Sequence, residues 1–112
     1  MPHRKADVVQ GTLDMLILKT VSLEPMHGVG ITQRIEQLTR GMFRVKPGSL
    51  FPALYRLERE GWVKGEWGES ENNRRAKYYR LTSAGRQQLR EEQSSWAQRS
   101  LAIARILEST SR

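Results

Sequence analysis

The C-terminal quarter of this 112-residue chain predicts one long helix with an apolar stripe. Thr82 suits a helix N-cap, and a helix from there to about Ser109 would span about 40 Å at roughly 1.5 Å per residue. Large apolar side chains recur along it with heptad-like spacing, at Leu89, Trp96, Ile103 and Leu107. Residues 1–81 form too small a domain to cover this stripe. The sequence therefore predicts that this helix pairs with a second copy of the chain.

Two shorter helices are predicted near the N-terminus. Residues 13–23 carry an apolar stripe at helical spacing, and Met15 and Leu18 lie roughly opposite it. We expect this second apolar face to contribute to the dimer interface. Pro25 ends the helix, because the residue before a proline is disfavoured in helical conformation. A second helix is predicted from about Gly28 to Leu38, and residues 1–9 are expected to form a flexible tail.

The middle of the chain predicts a third helix and a hairpin. A very short strand is expected at residues 43–45, and the helix then runs from Gly48 or Ser49 to about Glu60, with Pro52 in its first turn and Gly61 as its C-terminal cap. Residues 62–67 and 77–81 are rich in strand-forming side chains, and the polar residues 68–76 between them suit a loop. The pattern favours a two-stranded hairpin with a basic tip.

This order of elements predicts a mainly α fold with a small β-hairpin. Three helices followed by a hairpin are typical of a winged helix-turn-helix, which we place at residues 1–81. Residues 82–112 are then a C-terminal dimerisation helix.

The charge of the chain favours a polyanionic partner. Nineteen Lys and Arg against twelve Asp and Glu give a net charge of +7. Ten of the bases and five of the acids lie between Arg40 and Arg80, so this segment carries +5 of the total. A basic surface that serves only solubility is the alternative explanation.

Several classes of function are disfavoured by what the sequence does not contain. With no cysteine, the chain has no disulfide framework, no Cys-based zinc site and no thiol nucleophile. Of its two histidines, His27 suits the start of a helix better than a catalytic base, and no paired catalytic carboxylates or phosphate loop are recognisable. We expect no enzyme, metal or cofactor. Neither a membrane-spanning run nor a secretory signal is visible, so a cytoplasmic protein is expected.

Five stretches, taken in order, carry a family resemblance. They are GTLDMLIL (11–18), MHGVGI (26–31), GSLFPAL (48–54), LEREGW (57–62) and RRAKYYRLTSAG (74–85). Over about residues 10–86 the chain resembles the PadR family of transcriptional regulators, in its short form with a single C-terminal helix. The resemblance implies a dimeric repressor of a nearby operon, released in some relatives by a small aromatic ligand. Phe51 stands where the family usually has tyrosine, so a hydroxyl contact to phosphate there is lost or moved.

The third helix is the predicted recognition helix. Its apolar face should point inward, which leaves four other residues pointing outward: Ser49, Pro52, Arg56 and Arg59. Arginine can donate two hydrogen bonds to guanine in the major groove of double-stranded DNA, and serine can reach a base edge or a phosphate. Lys46, just ahead of the helix, is expected to contact phosphate. The alternative is a solvated face on which Glu58 and Glu60 neutralise the arginines.

The hairpin tip forms the second basic group, which consists of Arg74, Arg75 and Lys77. In a winged helix such residues contact phosphates or enter a narrow minor groove. Glu69 and Glu71, on the ascending side of the hairpin, weaken this prediction. The alternative function is a winged-helix module that binds a protein partner without specific DNA readout, although such a module has no need to concentrate bases between residues 40 and 80.

Trp96 has two interpretations. At a heptad position it is expected to pack in the dimer interface. In some short PadR relatives a tryptophan on this helix stacks flat ligands between the subunits, and Met15 and Leu18 would then line the same cavity.

Overall fold

The computed structural model describes residues 2–111, with side chains described from residue 12 onward. The described residues form α1 (Pro2–Leu23), β1 (Met26–His27), α2 (Gly28–Leu38), α3 (Pro47–Arg59), β2 (Val63–Glu69), β3 (Arg75–Leu81) and α4 (Ser83–Glu108). This is a winged helix-turn-helix with a long C-terminal helix, which confirms the predicted fold class.

Helix α1 lies at the centre of the domain and contacts α2, α3, β3 and α4. Its residues Leu13, Ile17 and Val21 are buried, as the helical spacing predicted. Leu18, which we expected on a free second face, is also fully buried, and this prediction is corrected. Since neighbouring elements of the same chain cover α1 on several sides, Leu18 packs in the domain core.

The start of α1 and the position of the shortest strand differ from the predictions. Helix α1 begins at Pro2, so it includes residues 2–9, where a tail was expected; proline is well suited to a first helical turn. The short strand is Met26–His27 rather than residues 43–45, which form a loop. Strand formation depends here on a neighbour, because Met26 and His27 pair with Tyr79 and Tyr78 of β3.

The sheet is antiparallel, in the order β1-β3-β2. Strands β2 and β3 form the predicted hairpin, paired from Val63 with Leu81 to Glu69 with Arg75. This pairing extends closer to the tip than the sequence indicated, which leaves residues 70–74 as the loop. At this loop Asn73 adopts a φ of 59°, a left-handed conformation that asparagine tolerates better than most residues. The basic tip is therefore held on a narrow, well-paired ribbon.

Helix α3 buries the predicted core face, which consists of Leu50, Ala53, Leu54 and Leu57. It begins at Pro47, so Pro52 lies inside the helix and not in its first turn as predicted. At its end, the Gly61 N–H donates to the Glu58 carbonyl and the Trp62 N–H to the Leu57 carbonyl, each at 3.0 Å. With Gly61 at a φ of 80°, these bonds form the predicted glycine cap.

Among the side chains that the structure describes, the buried residues of α4 lie near its start. The Thr82 hydroxyl accepts a hydrogen bond from the Gly85 N–H at 3.0 Å, which confirms the predicted N-cap. Gly85 and Leu89 are buried against the domain, whereas the large apolar residues beyond them are exposed. Leu89 therefore belongs to the core and not to the free stripe predicted for it. Within residues 2–111, no helix is long and apolar enough to cross a membrane.

Candidate nucleic-acid interface

The exposed side of α3 is centred on Pro52, Tyr55 and Arg59, which lie opposite its buried face. Tyr55 is 68% exposed, and the Arg59 guanidinium lies 6.0 Å from the centroid of its ring. The sequence-based prediction missed Tyr55, although its spacing of three residues after Pro52 and four before Arg59 places it on the same helix face. This surface is accessible and carries both an aromatic ring and a cation.

Lys46 and Ser49 lie at the N-terminal end of this surface. Lys46 is the N-cap of α3, its backbone carbonyl accepts the Ser49 N–H at 2.9 Å, and both residues are exposed. The end of a helix that presents free N–H groups attracts anions, and a lysine beside it adds to that attraction. Both residues have the exposure that the predicted contacts to DNA require.

Arg56 does not point outward as predicted. Its Nη2 atom lies 2.6 Å from Oδ1 of Asp14 on α1, and its side chain is 28% exposed. Arg56 lies at the edge of α3 that faces α1, where the carboxylate accepts its hydrogen bond. Burial raises the pKa of Asp14 and the attraction of Arg56 lowers it, with burial the larger effect. Arg56 therefore connects two helices of the domain, which corrects the prediction that its side chain is free on the outer face.

Phe51 lies on the opposite edge of α3, beside α2. Its ring is half-exposed and packs over Gly28, the first residue of α2. A Cβ atom at Gly28 would lie 2.8 Å from two ring carbons, so any larger residue at this position would displace the ring. Phe51 thus lines the space between the helix-turn-helix and the wing.

The wing presents two of its three predicted cations. Arg74 and Arg75 are exposed, and the Arg75 guanidinium lies 5.0 Å from the centroid of the exposed Trp67 ring. Trp67 was not predicted, because Arg75 was expected in the loop, whereas in the structure it is the first residue of β3 and lies near Trp67 of β2. A guanidinium above an aromatic face is held by a cation–π attraction. Because Arg74 and Arg75 are both exposed, they are available to a partner at the hairpin tip.

Lys77 is not free. Its Nζ atom lies 3.0 Å from Oε1 of Glu58, and this hydrogen bond raises the pKa of Lys77. The lysine chain crosses the surface of Gly65 in the neighbouring strand, where a Cβ atom would overlap it. This charge joins the wing to α3, which corrects the expectation that Lys77 is a free cation of the hairpin tip.

A groove of about 660 Å³ separates the helix-turn-helix from the wing. Val29, Gln33 and Phe51 line it on the helical side, and Trp67, Arg74 and Arg75 are among the residues of the wing that line it. The groove is therefore apolar and basic at the same time. No group of three or more potential metal ligands occurs among the residues that the structure describes.

The residues predicted for the dimer interface fall into two sets. Trp96, Ile103 and Leu107 share the exposed face of α4, and Trp96 is 48% exposed. Met15 is partly buried beside the core, whereas Leu18 and Leu89 are already covered within the chain. Two further apolar residues of α4, Leu101 and Ile106, are exposed and were not predicted.

Comparison with known proteins agrees with this architecture. The Transcriptional regulator PadR-like family matches residues 17–91. Transcriptional regulator Rv3488 of Mycobacterium tuberculosis is 38% identical over 76 residues, which cover 68% of this chain and 67% of the relative.

Solved structures of transcriptional regulators are also similar. One from Clostridium thermocellum has a TM-score of 0.84 at 27% identity, covering 91% of this chain and 99% of the other. A PadR family regulator from Eggerthella lenta has a TM-score of 0.81 at 27% identity, covering 97% and 93%. These matches confirm the resemblance seen in the sequence and the prediction of a regulator, not an enzyme. The chain belongs to the PadR-like family of transcriptional regulators, which bind DNA.

Proposed function

We propose that the chain is a cytoplasmic, homodimeric repressor that binds double-stranded DNA sequence-specifically. The observation that carries this proposal is the exposed face of α3, where Pro52, Tyr55 and Arg59 lie opposite the buried side. Lys46 lies at one end of this face and the wing arginines lie across the groove. In each half-site α3 enters the major groove, and Lys46, Arg74 and Arg75 contact phosphates.

The exposed stripe of α4 supports the dimer. Trp96, Ile103 and Leu107 are large apolar residues, and burying each of them contributes about 1.5–3 kcal/mol. An apolar cleft of about 390 Å³ between α1 and the α2–α3 loop offers a surface of matching character. Leu16, Met42 and Phe43 are among the residues that line it. Two chains joined through such surfaces would present two equivalent α3 helices to one duplex.

Trp96 then has a packing role in the dimer, and the alternative role is a platform for a flat aromatic effector that releases the repressor. The residue is 48% exposed, so part of it is accessible to a partner or to a ligand. Leu18 is buried in the core and does not line a cavity beside Trp96, which favours packing over a ligand platform. The two roles of Trp96 are separable by mutation.

Footprinting on genomic fragments captured by the purified protein tests the proposal. A two-fold dimer requires two similar half-sites with centres one helical turn, about 10–10.5 base pairs, or a multiple of it apart. A single unrepeated half-site would contradict the dimeric arrangement. A chain that captures no fragment, even at low salt, would instead support the protein-binding alternative.

A further inference from the structure

The outward face of α3 is apolar at its centre and charged at its edges. Pro52 and Tyr55 occupy the middle of the face, and both are exposed. Arg59 lies one turn beyond Tyr55, while Lys46 lies ahead of the helix. The charges that attract DNA therefore surround a surface with few hydrogen-bonding groups.

The chemistry of this central surface limits which base edge it can read. Pro52 has no backbone N–H and no polar side-chain atom, and Tyr55 has a single hydroxyl at the end of a large ring. In the major groove guanine, cytosine and adenine present donors and acceptors, whereas thymine adds an apolar methyl group. Covering the polar edges with Pro52 and the tyrosine ring would leave their donors and acceptors unpaired, which is costly.

We propose that Tyr55, together with Pro52, determines specificity by contacting the methyl group of a thymine in each half-site. The inference rests on the proposed function, because it requires α3 to lie in the major groove. The Arg59 guanidinium, 6.0 Å from the centroid of the tyrosine ring, helps to hold the ring in place. Phe51 is beside this surface but faces the groove toward the wing, so it is a neighbour of the contact and not its centre.

Deoxyuridine provides a direct test, since it pairs with adenine as thymine does but has no methyl group. The operator is first selected from random duplexes with the full chain, and each thymine of a half-site is then replaced by deoxyuridine. Loss of one methyl contact should weaken binding about fourfold, so replacement in both half-sites should weaken it about fifteenfold. The Tyr55→Ala variant should bind the two duplexes equally, whereas Tyr55→Phe should keep the preference for thymine.

Lys46→Ala is the matched control, because a phosphate contact carries no base preference. It should weaken binding to both duplexes by the same factor and leave the thymine preference intact. Equal binding of the parent chain to thymine and deoxyuridine operators would overturn the inference while leaving the proposed function in place. Loss of the preference in Tyr55→Phe would overturn it too, because the hydroxyl would then be the reading group. Failure to select any operator would count against the proposed function itself.

Discussion

The guanidinium of Arg56 in α3 donates a hydrogen bond to the carboxylate of Asp14 in α1, with Nη2 2.6 Å from Oδ1. The two residues are 42 positions apart in the sequence, and both side chains are partly buried. This ion pair attaches α3 to the central helix of the domain. The paired guanidinium stabilises the position of α3 and does not belong to the exposed surface that we propose binds DNA.

We expect Arg56→Ala to destabilise the fold. The substitution leaves the Asp14 carboxylate partly buried without its donor, which should lower the free energy of unfolding by about 1–3 kcal/mol. Urea denaturation measures this change. Arg59→Ala, on the exposed face of the same helix, is the matched control and should change stability little while weakening DNA binding. Equal stability of the two variants would contradict a structural role for Arg56.

The ionisation of Asp14 gives stability a defined dependence on pH. Burial raises the pKa of Asp14 in the folded chain above the unfolded value of 3.8, in spite of the opposing attraction of Arg56. The folded state therefore binds this proton more tightly, and the associated stabilisation is complete below the unfolded pKa and lost as the pH rises through the folded pKa. The free energy of unfolding of the parent chain should fall, relative to Asp14→Asn, as the pH rises through this window.

Urea titrations of both proteins at a series of pH values measure that difference. If the free energy of unfolding of the parent chain increased with pH relative to that of Asp14→Asn, the attraction of Arg56 would outweigh burial in setting the pKa of Asp14. Glu92 of α4 also contributes to raising the pKa of Asp14, so Glu92→Gln should reduce the effect without reversing it.

The two exposed arginines of the wing should dominate the salt dependence of DNA binding. If each contacts one phosphate, a dimer carries four such contacts, and the double variant Arg74→Ala, Arg75→Ala should lower the slope of log K against log salt by about 3.6. Fluorescence anisotropy at several salt concentrations measures the slope. Lys77→Ala is the control: because Lys77 is paired with Glu58, it should change the slope little. An unchanged slope with an altered base preference would mean that the arginines read bases.

Gly85 should tolerate no side chain. A Cβ atom there would overlap the backbone carbonyl of Trp62, which is held by the Thr82 N–H, so the start of α4 would have to move. Gly85→Ala should lower the free energy of unfolding by about 1–3 kcal/mol, the usual cost of overpacking. Gly48→Ala is the matched control, since an added Cβ atom there would have open space around it and alanine favours helix over glycine. A thermal melt in which Gly85→Ala matched the parent would contradict the close approach.

The last helix should hold the dimer together. Ending the chain after Gln93 removes Trp96, Ile103 and Leu107, which are exposed in the single chain. We expect a monomer in sedimentation at micromolar concentration and a large loss of DNA affinity, because two half-sites no longer bind as one. A truncated chain that remained a tight dimer would contradict the role of α4 in dimerisation.

Trp96→Ala separates the two roles of that residue. If Trp96 packs between subunits, the variant dimer dissociates more easily, and flat aromatic dyes leave the tryptophan fluorescence of the parent unchanged. If Trp96 is a ligand platform, the dimer persists and dye binding is lost. We expect the first result.

Elements governed by local chemistry could be predicted from the chain alone. Four features depend on residues that are close in the sequence: the bounds of α2, the Thr82 cap of α4, the Gly61 cap of α3 and the buried face of α3. The excess of bases between residues 40 and 80 likewise indicates a polyanionic partner, because net charge depends on composition and not on the fold. Four exposed cations of the candidate site were among the residues predicted from the sequence: Lys46, Arg59, Arg74 and Arg75.

The order of helices and hairpin, the family resemblance and the basic middle of the chain could thus be read from short segments, because spacing, caps and local charge are properties of such segments. Which charges are paired depends on tertiary packing. Arg56 and Lys77 have the same charge as Arg59 and Arg75, yet each meets a carboxylate from a distant part of the chain. Leu18 is likewise buried because other elements of the chain pack around α1. Such partners are brought together by packing, and no local pattern in the sequence encodes them.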